Sequence, residues 1–341
     1  MNYTAEEKTL LTRVQRDIPL VPDPVSELAR DTGLPVKQAA AILIKMKHEG
    51  VIRNISGIFN AASLGYVSSL VAFSLADADV DRGASLVNSH PGVSHNYLRD
   101  HRYNLWFTLA VEGKDLLDRT VASLAAGARA REFLVLRNEK LFKLGVKFTL
   151  DGTGDNGASE SGAIETAPSG GLSPEEKEAV RLLQADLPLV ERPFIRIIEE
   201  RKGRLDEAIL LATGNSLKQR GVLRRYSAVL RHHKAGFRAN AMTAWKPDSD
   251  GQLERAAELL KNEPSVSHLY ARTVYPGKWE YPLFAMVHAP DENELSALVS
   301  RFSRETGIND YLSLKSLKEY KKERVAYFSD RFNEWNTREM T

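Results

Sequence analysis

The feature that most constrains this chain is an internal duplication. "LLTRVQRDIPLVPDP" from Leu10 is answered by "LLQADLPLVERPF" from Leu182. "GVIRNISGIFNAASLGY" from Gly50 is answered by "GVLRRYSAVLRHHKAGF" from Gly221, and "PGVSHNYLRD" from Pro91 by "PSVSHLYART" from Pro264. Order and spacing are kept, so two copies of one fold are expected. The length of 341 residues fits that expectation, since a single domain averages ~150 residues. Between the copies, "DGTGDNGASESGAIETAPSGG" from Asp151 has no hydrophobic period and reads as a flexible linker.

Each copy carries the same order of elements. In the first, "DPVSELARDTGLPVKQAAAILIKMKHEGVI" predicts a helix, a turn at Gly33, a second helix with Ala39, Ile42, Leu43 and Met46 on one face, and a stop at Gly50 before a strand. That is the pattern of a winged helix-turn-helix. "PFIRIIEERKGRLDEAILLATGNSLKQRGVL" keeps the outline in degenerate form. The strand "RNISGIFN" (or "RRYSAVLRHH") follows, and then a βαββαβ order: "GYVSSLVAFSL", helix, "VSHNYLRD", "NLWFTLAVE", helix, "EFLVLRNEKLF", with matching segments in the second copy. The expected fold class is α+β: two tandem copies of a winged helix-turn-helix followed by a ferredoxin-like βαββαβ domain, paired pseudo-symmetrically so that the two sheets cover each other. The expected domains are residues 1–60 and 61–150 in the first half, a linker at 151–172, and residues 173–233 and 234–335 in the second.

Global charge is uninformative, because 47 basic residues balance 45 acidic ones to within +2. The chain has no cysteine, which excludes disulfides, thiolate zinc sites, iron–sulfur ligation and cysteine nucleophiles. The first residues show no basic-then-apolar leader, and no apolar run approaches the ~20 residues of a membrane span, so a cytoplasmic protein without membrane association is expected.

Local charge is informative. From Ile209 to Lys246 there is no acid, while eight Lys or Arg and two His occur, most of them in "RRYSAVLRHHKAGFR". A solvated basic face normally carries interspersed acids, so an anion site is expected. Strand alternation puts Arg225, Arg231 and His233 on one face and Arg224, Tyr226 and His232 on the other. The same alternation groups Val266, His268, Tyr270 and Arg272 in the second half, and Val93, His95, Tyr97 and Arg99 in the first.

A duplex would be read by the start of the second helix of each helix-turn-helix. There the first copy offers only Lys37 and Gln38, and the second offers Asp206 and Glu207. The cations lie on strands instead, which argues against DNA and for a compact, multiply carboxylated ligand held by arginines. Trp245, Trp279, Tyr281, Phe284 and Met286 in one half, with Trp106 and Phe107 in the other, would suit a flat conjugated ligand, although each also reads as ordinary core. No metal site from protein alone is expected; a single histidine could still cap a metal that arrives inside a macrocycle.

At these residues the chain resembles a known family. The helix-turn-helix followed by βαββαβ is similar to the AsnC/Lrp regulators, and the motifs resemble a branch of that superfamily, the siroheme decarboxylases. The first half resembles one of their subunit types through "SGIFN", "LGY", "SHNYLRD" and "NLWFTL". The second resembles the other through "GVLRRYSAVLRHHKAGFRANAMTAW" and "SHLYAR" with "YPLFAMVH". Both halves in one chain resemble the fused form associated with haem d1 synthesis, while separate subunits of the family also serve an alternative haem route, so the resemblance implies haem d1 or alternative haem biosynthesis.

The resemblance implies a carboxy-lyase that removes carbon dioxide from the C12 and C18 acetates of siroheme to give 12,18-didecarboxysiroheme, with no cofactor beyond the iron of the substrate. It implies His232 and His268 as acid–base groups, with His232 a candidate axial contact to that iron. Arg225, Arg231, Arg272 and Arg99 would bind the carboxylate rim, with His233, Tyr270, Trp279, Tyr281, Met286, Tyr97 and Trp106 completing the substrate surface. Asn60, Ala61 and Ala62 stand opposite Arg231, His232 and His233, so one working site is expected, made mainly by the second half. Two other readings stand beside this one: a DNA-binding regulator of AsnC/Lrp type, and a tetrapyrrole sensor without catalysis. Homodimerisation of the whole chain is left open.

Overall fold

The computed structural model describes residues 3–144, 171–230 and 239–339. In chain order the first half runs α1 (Ala5–Arg16), α2 (Pro24–Thr32), α3 (Val36–His48), β1 (Ile52–Phe59), β2 (Tyr66–Ser74), α4 (Val80–Ser89), β3 (Val93–Arg99), β4 (Leu105–Glu112), α5 (Lys114–Ala128) and β5 (Glu132–Leu144). The second half repeats it: α6 (Pro174–Leu183), α7 (Pro193–Glu200), α8 (Glu207–Gln219), β6 (Leu223–Leu230), β7 (Ala239–Trp245), α9 (Asp250–Asn262), β8 (Val266–Arg272), β9 (Leu283–Ala289), α10 (Glu292–Thr306) and β10 (Tyr311–Lys322). A last helix, α11 (Asp330–Glu339), has no counterpart among the described residues and no signal in the sequence. No helix among the described residues is long and apolar enough to cross a membrane.

Local chemistry repeats along with the order. Capping boxes start the first helix of each half, Thr4 with Glu7 and Ser173 with Glu176. Gly50 and Gly221, both at φ 73°, follow the ends of α3 and α8 in the left-handed conformation that turns the chain into the next strand.

The described residues gather into two compact units, and each half contributes to both. One holds the residues up to Gly65, those from 171 to 230, and Ala326–Asp330; the other holds the rest. In the first unit β1 and β6 pair antiparallel, with Ser56 opposite Ser227. An exchange ties the halves together there. Asp17, after α1, accepts from Tyr226 N–H at 3.3 Å, and Ile18 N–H donates to Tyr226 O at 2.6 Å. Asp186, after α6, accepts from Ile55 N–H at 2.9 Å, and Leu187 N–H donates to Ile55 O at 2.8 Å. Each half's Asp-x-Pro-Leu segment thus satisfies the backbone of the other half's strand.

The second unit is a closed eight-stranded barrel in the order β10-β3-β4-β2-β5-β8-β9-β7. Within it β3-β4-β2-β5 and β8-β9-β7-β10 are the two ferredoxin-like sheets. They do not simply cover each other, as expected from sequence, but join at their edges through β5–β8 and β10–β3. Residues 132–137 of β5 pair with β2 and residues 138–144 with β8; likewise residues 311–315 of β10 pair with β7 and residues 316–322 with β3. Outside the strands, α4 and α5 cover one sheet through Phe73, Phe107, Leu117 and Val121, while α9 and α10 cover the other through Leu260, Leu269, Val287 and Phe302. A third core of residues from both halves fills the inside, including Leu70, Trp106, Leu134, Met242, Trp279, Phe284 and Leu314.

Strand alternation fails at three places. Bulges between Val93 and His95 and between Val266 and His268 turn both valines to the helix-covered cores, away from the histidines they were grouped with. In β6 the register slips at Arg224, so Arg224 and Arg225 are both exposed while Tyr226 is buried. Of the expected linker at 151–172, only the last two residues lie among those described.

Asp186 also pairs with Lys47 at 2.8 Å. Asp186→Ala leaves the buried Ile55 N–H without its acceptor and should cost about 1–3 kcal/mol in denaturant unfolding. An unchanged midpoint would mean that the exchange between the halves contributes no stability.

Candidate functional site

The bulged strands β3 and β8 place equivalent triads on the inner face of the barrel. On β8 the His268 and Tyr270 rings stack at 6.4 Å and 19°, and the Arg272 guanidinium lies 4.7 Å over Tyr270 and 5.6 Å over Phe284. On β3 His95 and Tyr97 stack at 6.3 Å and 21°, with Arg99 5.3 Å over Tyr97. Being second and sixth in the strand order, β3 and β8 stand opposite each other, and His95 is near enough to act on the charge of His268.

The two arginines are held alike. Arg99 donates to Leu314 O at 2.7 Å and to Ser316 Oγ at 3.1 Å; Arg272 donates to Leu136 O at 3.0 Å. The Nε of each is buried without a hydrogen-bond partner, as is Oδ1 of Asn138, the residue in register with Arg272. Among the described residues neither guanidinium has a carboxylate partner. Burial lowers both, to about 10. A buried cation left unpaired costs several kcal/mol, so this arrangement stores positive charge for an anion that enters from outside.

Burial also pushes His268 down to about 4, aided by His288, His95 and Arg272, so its imidazole is neutral at ordinary pH. Tyr270 is raised by burial, and Tyr97 to about 12 by burial and by Glu319, to which it donates at 3.2 Å.

Two differences break the symmetry. Ser267 Oγ lies 2.8 Å from His268 Nδ1 and 2.7 Å from His288 Nε2, whereas Ser94 Oγ reaches His95 Nδ1 at 3.0 Å and Ala110 occupies the position of His288. Leu141 pairs with Tyr270 where Glu319 pairs with Tyr97. The second-half triad therefore lacks the acid that would repel an anion and has an additional histidine.

The other expected residues are distributed as follows. Trp106 and Trp279 are fully buried 5.4 Å apart, their indole N–H groups donating to Tyr103 O and Tyr281 O, and Trp279 stacks on Phe284 at 5.8 Å. They form the packed apolar part of the interior beside the Arg272 triad. Tyr281 joins that core at its margin and donates to Asp310 at 2.9 Å. Met286 is half-buried and in register with His268. Arg225 lies on the exposed face of β6 in the other unit. Arg231, His232 and His233 lie outside the described residues. Sequence reasoning missed Ser267 and His288. The signal for His288 was available, since it stands where the first copy has Ala110.

Known proteins share this architecture. Residues 63–143 and 234–321 match the AsnC-like ligand binding domain, and residues 7–53 match the siroheme decarboxylase NirDL-like helix-turn-helix domain. The chain is 39% identical to the siroheme decarboxylase of Hydrogenobacter thermophilus, over 96% of both chains. It is 30% identical to the siroheme decarboxylase NirDL subunit of Paracoccus denitrificans, over 84% of this chain and 85% of that one. The crystal structure of the siroheme decarboxylase NirDL superposes with a TM-score of 0.80 at 36% identity, over 98% of both chains. Its co-complex with an iron-uroporphyrin III analogue gives 0.79 at 35%, with the same coverage.

The depressed His268 fixes the sign of an acid effect. An unfolded histidine titrates near 6.5 and this one near 4. Below pH 6.5 the unfolded chain takes up a proton that the fold refuses. This contribution to stability is therefore complete above that pH and lost as pH falls toward 4. His90, lowered to about 3 by burial, acts in the same direction. Melting temperature should fall between pH 6.5 and 4, and His268→Asn should flatten that slope; equal slopes would place an ordinary pKa on His268 in the fold.

Proposed function

The chain belongs to the siroheme decarboxylase family, and from that premise we propose that it is a carboxy-lyase acting on siroheme. In this reading it removes carbon dioxide from the acetates at C12 and C18, leaves methyl groups, and releases 12,18-didecarboxysiroheme toward haem d1. The observation that carries the proposal is the pair of buried guanidiniums, Arg99 and Arg272, without a carboxylate partner among the described residues. Siroheme brings the missing carboxylates. Packed core fills part of the barrel interior, and in this reading an acetate arm of siroheme reaches Arg272 in the remainder.

The residues then divide the work. Arg272, stacked on Tyr270 and Phe284, binds and orients the acetate in an apolar surrounding. It stabilises the ionised ground state as well, so it supplies binding more than rate; desolvation of the carboxylate and alignment of the breaking bond supply the rate. When the bond to carbon dioxide breaks, its electron pair passes into the conjugated ring. His268, on the same face of β8, supplies the proton that completes the methyl group. The balance is one carboxylate and one proton consumed for one methyl and one carbon dioxide formed, with no oxidant. The first-half triad, with Glu319 beside Tyr97, serves as the facing wall.

Anaerobic incubation with siroheme, followed by absorbance and mass spectrometry, tests this. Two successive losses of carbon dioxide are expected. A spectral change without a mass change would make the chain a tetrapyrrole sensor, and no spectral change would end the reading. Arg272→Met should weaken siroheme binding by roughly 10-fold or more in an absorbance titration. The same assay tests the part expected of His232, whose replacement by alanine should abolish turnover.

A further inference from the structure

The hydrogen-bonded chain His268–Ser267–His288 takes no part in a step in which His268 acts alone. A serine hydroxyl has one proton, so between two imidazole nitrogens it donates to one and accepts from the other. In one arrangement His288 Nε2–H donates to Ser267, Ser267 O–H donates to His268 Nδ1, and His268 carries its own proton on Nε2. In the other the direction is reversed. Passing from the first to the second moves one proton along the whole chain. Ser267 is buried, while His268 and His288 are each only partly buried, so the chain runs through a closed middle between two partly accessible imidazoles.

The wire has a local cause. The bulge between Val266 and His268 leaves Ser267 without a partner in the β8–β9 ladder, and a bulged residue re-aims its side chain. Its hydroxyl reaches both the imidazole that follows it and one from β9. The first half keeps the bulge, the serine and the histidine, and Ser94 meets His95 in the same way. Only the third member differs: β4 carries Ala110 where β9 carries His288.

We propose that Ser267 and His288 are a proton relay that reloads His268 from solvent each time an acetate is decarboxylated. The proposal rests on the reading of His268 as the proton donor. A neutral imidazole has one N–H to give, and giving it without replacement would leave an imidazolate, a poor product beside a carbanion-like centre. With the relay, His268 Nε2–H passes to the substrate carbon while Ser267 O–H passes to His268 Nδ1. His288 Nε2–H passes to Ser267, and His288 takes a proton from water. Every group ends neutral, and the net reaction consumes one solvent proton per carbon dioxide released. Among the described residues, His95 from β3, Arg272 from β8 and Lys322 from β10 act on the wire's charge. All three bear on it as cations or potential cations, which discourages storing a permanent charge on either histidine and favours concerted passage. Two acetates per siroheme require the wire to act twice. Proton passage leaves the wire in its second arrangement, with the His268 proton on Nδ1, so before the second acetate reacts both histidines return to their first tautomers by proton exchange with water.

His288→Gln tests the relay in the full chain with siroheme. A glutamine amide can still donate to Ser267 but cannot pass a proton on, so a structural role survives the change and a relay does not. Expected are an unchanged siroheme absorbance titration, a kcat lowered roughly 10- to 100-fold, and partial recovery of His288→Ala by added imidazole. Ser267→Ala should show the same loss without recovery, and gives the same reading if His288→Gln fails to bind siroheme. Normal kcat in His288→Gln with an inactive His268→Ala overturns the relay alone. Normal turnover in His268→Ala overturns the reading of the donor on which the relay rests.

Discussion

Everything in the barrel unit depends on β5 and β10 each being long enough to belong to two sheets. At 13 and 12 residues and ~3.3 Å per residue, each pairs with its own half along its first part and with the other half along its second. An isolated ferredoxin-like sheet would leave two edges with unpaired N–H and C=O groups and one uncovered apolar face. The long strands remove all three liabilities at once: they close the edges, bury the face as the barrel interior, and place β3 opposite β8. The meeting of two histidine–tyrosine–arginine triads inside follows from that closure.

The interior shows where stability yields to function. Leu70, Trp106, Leu134, Met242, Trp279, Phe284 and Leu314 pack one part of it as core, and each contributes on the order of 1.5–3 kcal/mol through burial. The same enclosed space retains two guanidiniums that each have a backbone carbonyl for a partner and no acid within reach among the described residues. Apolar residues at both positions would serve folding better. That they are arginines, stacked on tyrosines that shape their approach, fits a site whose missing partner is the ligand.

Much of this was legible in the sequence, for identifiable reasons. The duplication, both βαββαβ orders and nearly every strand boundary follow from alternation and from Gly50 and Gly221. The triads follow too, since His268, Tyr270 and Arg272 are two residues apart. What alternation cannot reveal is where it fails: the bulges beside Ser94, Ser267 and Arg224 depend on pairing with a neighbouring strand, so alternation alone puts Val93, Val266 and Arg224 on the wrong faces. The edge joins were hidden because each half's pattern describes its own sheet, and nothing in "NEKLF" or "SLKEYK" announces a partner in the other half. His288 was hidden differently. It lies outside the repeated motif, and a residue present in only one copy is noticed only when the copies are aligned strand by strand.

That asymmetry also explains why the two halves profit from sharing a chain. In a symmetric homodimer any substitution appears twice, so a histidine gained at the position of His288 would also be gained at that of Ala110, and an acid placed like Glu319 would enter both triads. Fusion frees the copies to diverge while the β5–β8 and β10–β3 joins continue to demand matching geometry. The backbone has remained symmetric down to the bulge before each histidine, because closure of the barrel needs both halves alike. The side chains next to the two triads have not: Leu141 and His288 on one side, Glu319 and Ala110 on the other. The constraint that preserves the scaffold is the same one that exposes these four positions as free to change, and all four bear on charge or proton supply at the second-half triad or its counterpart.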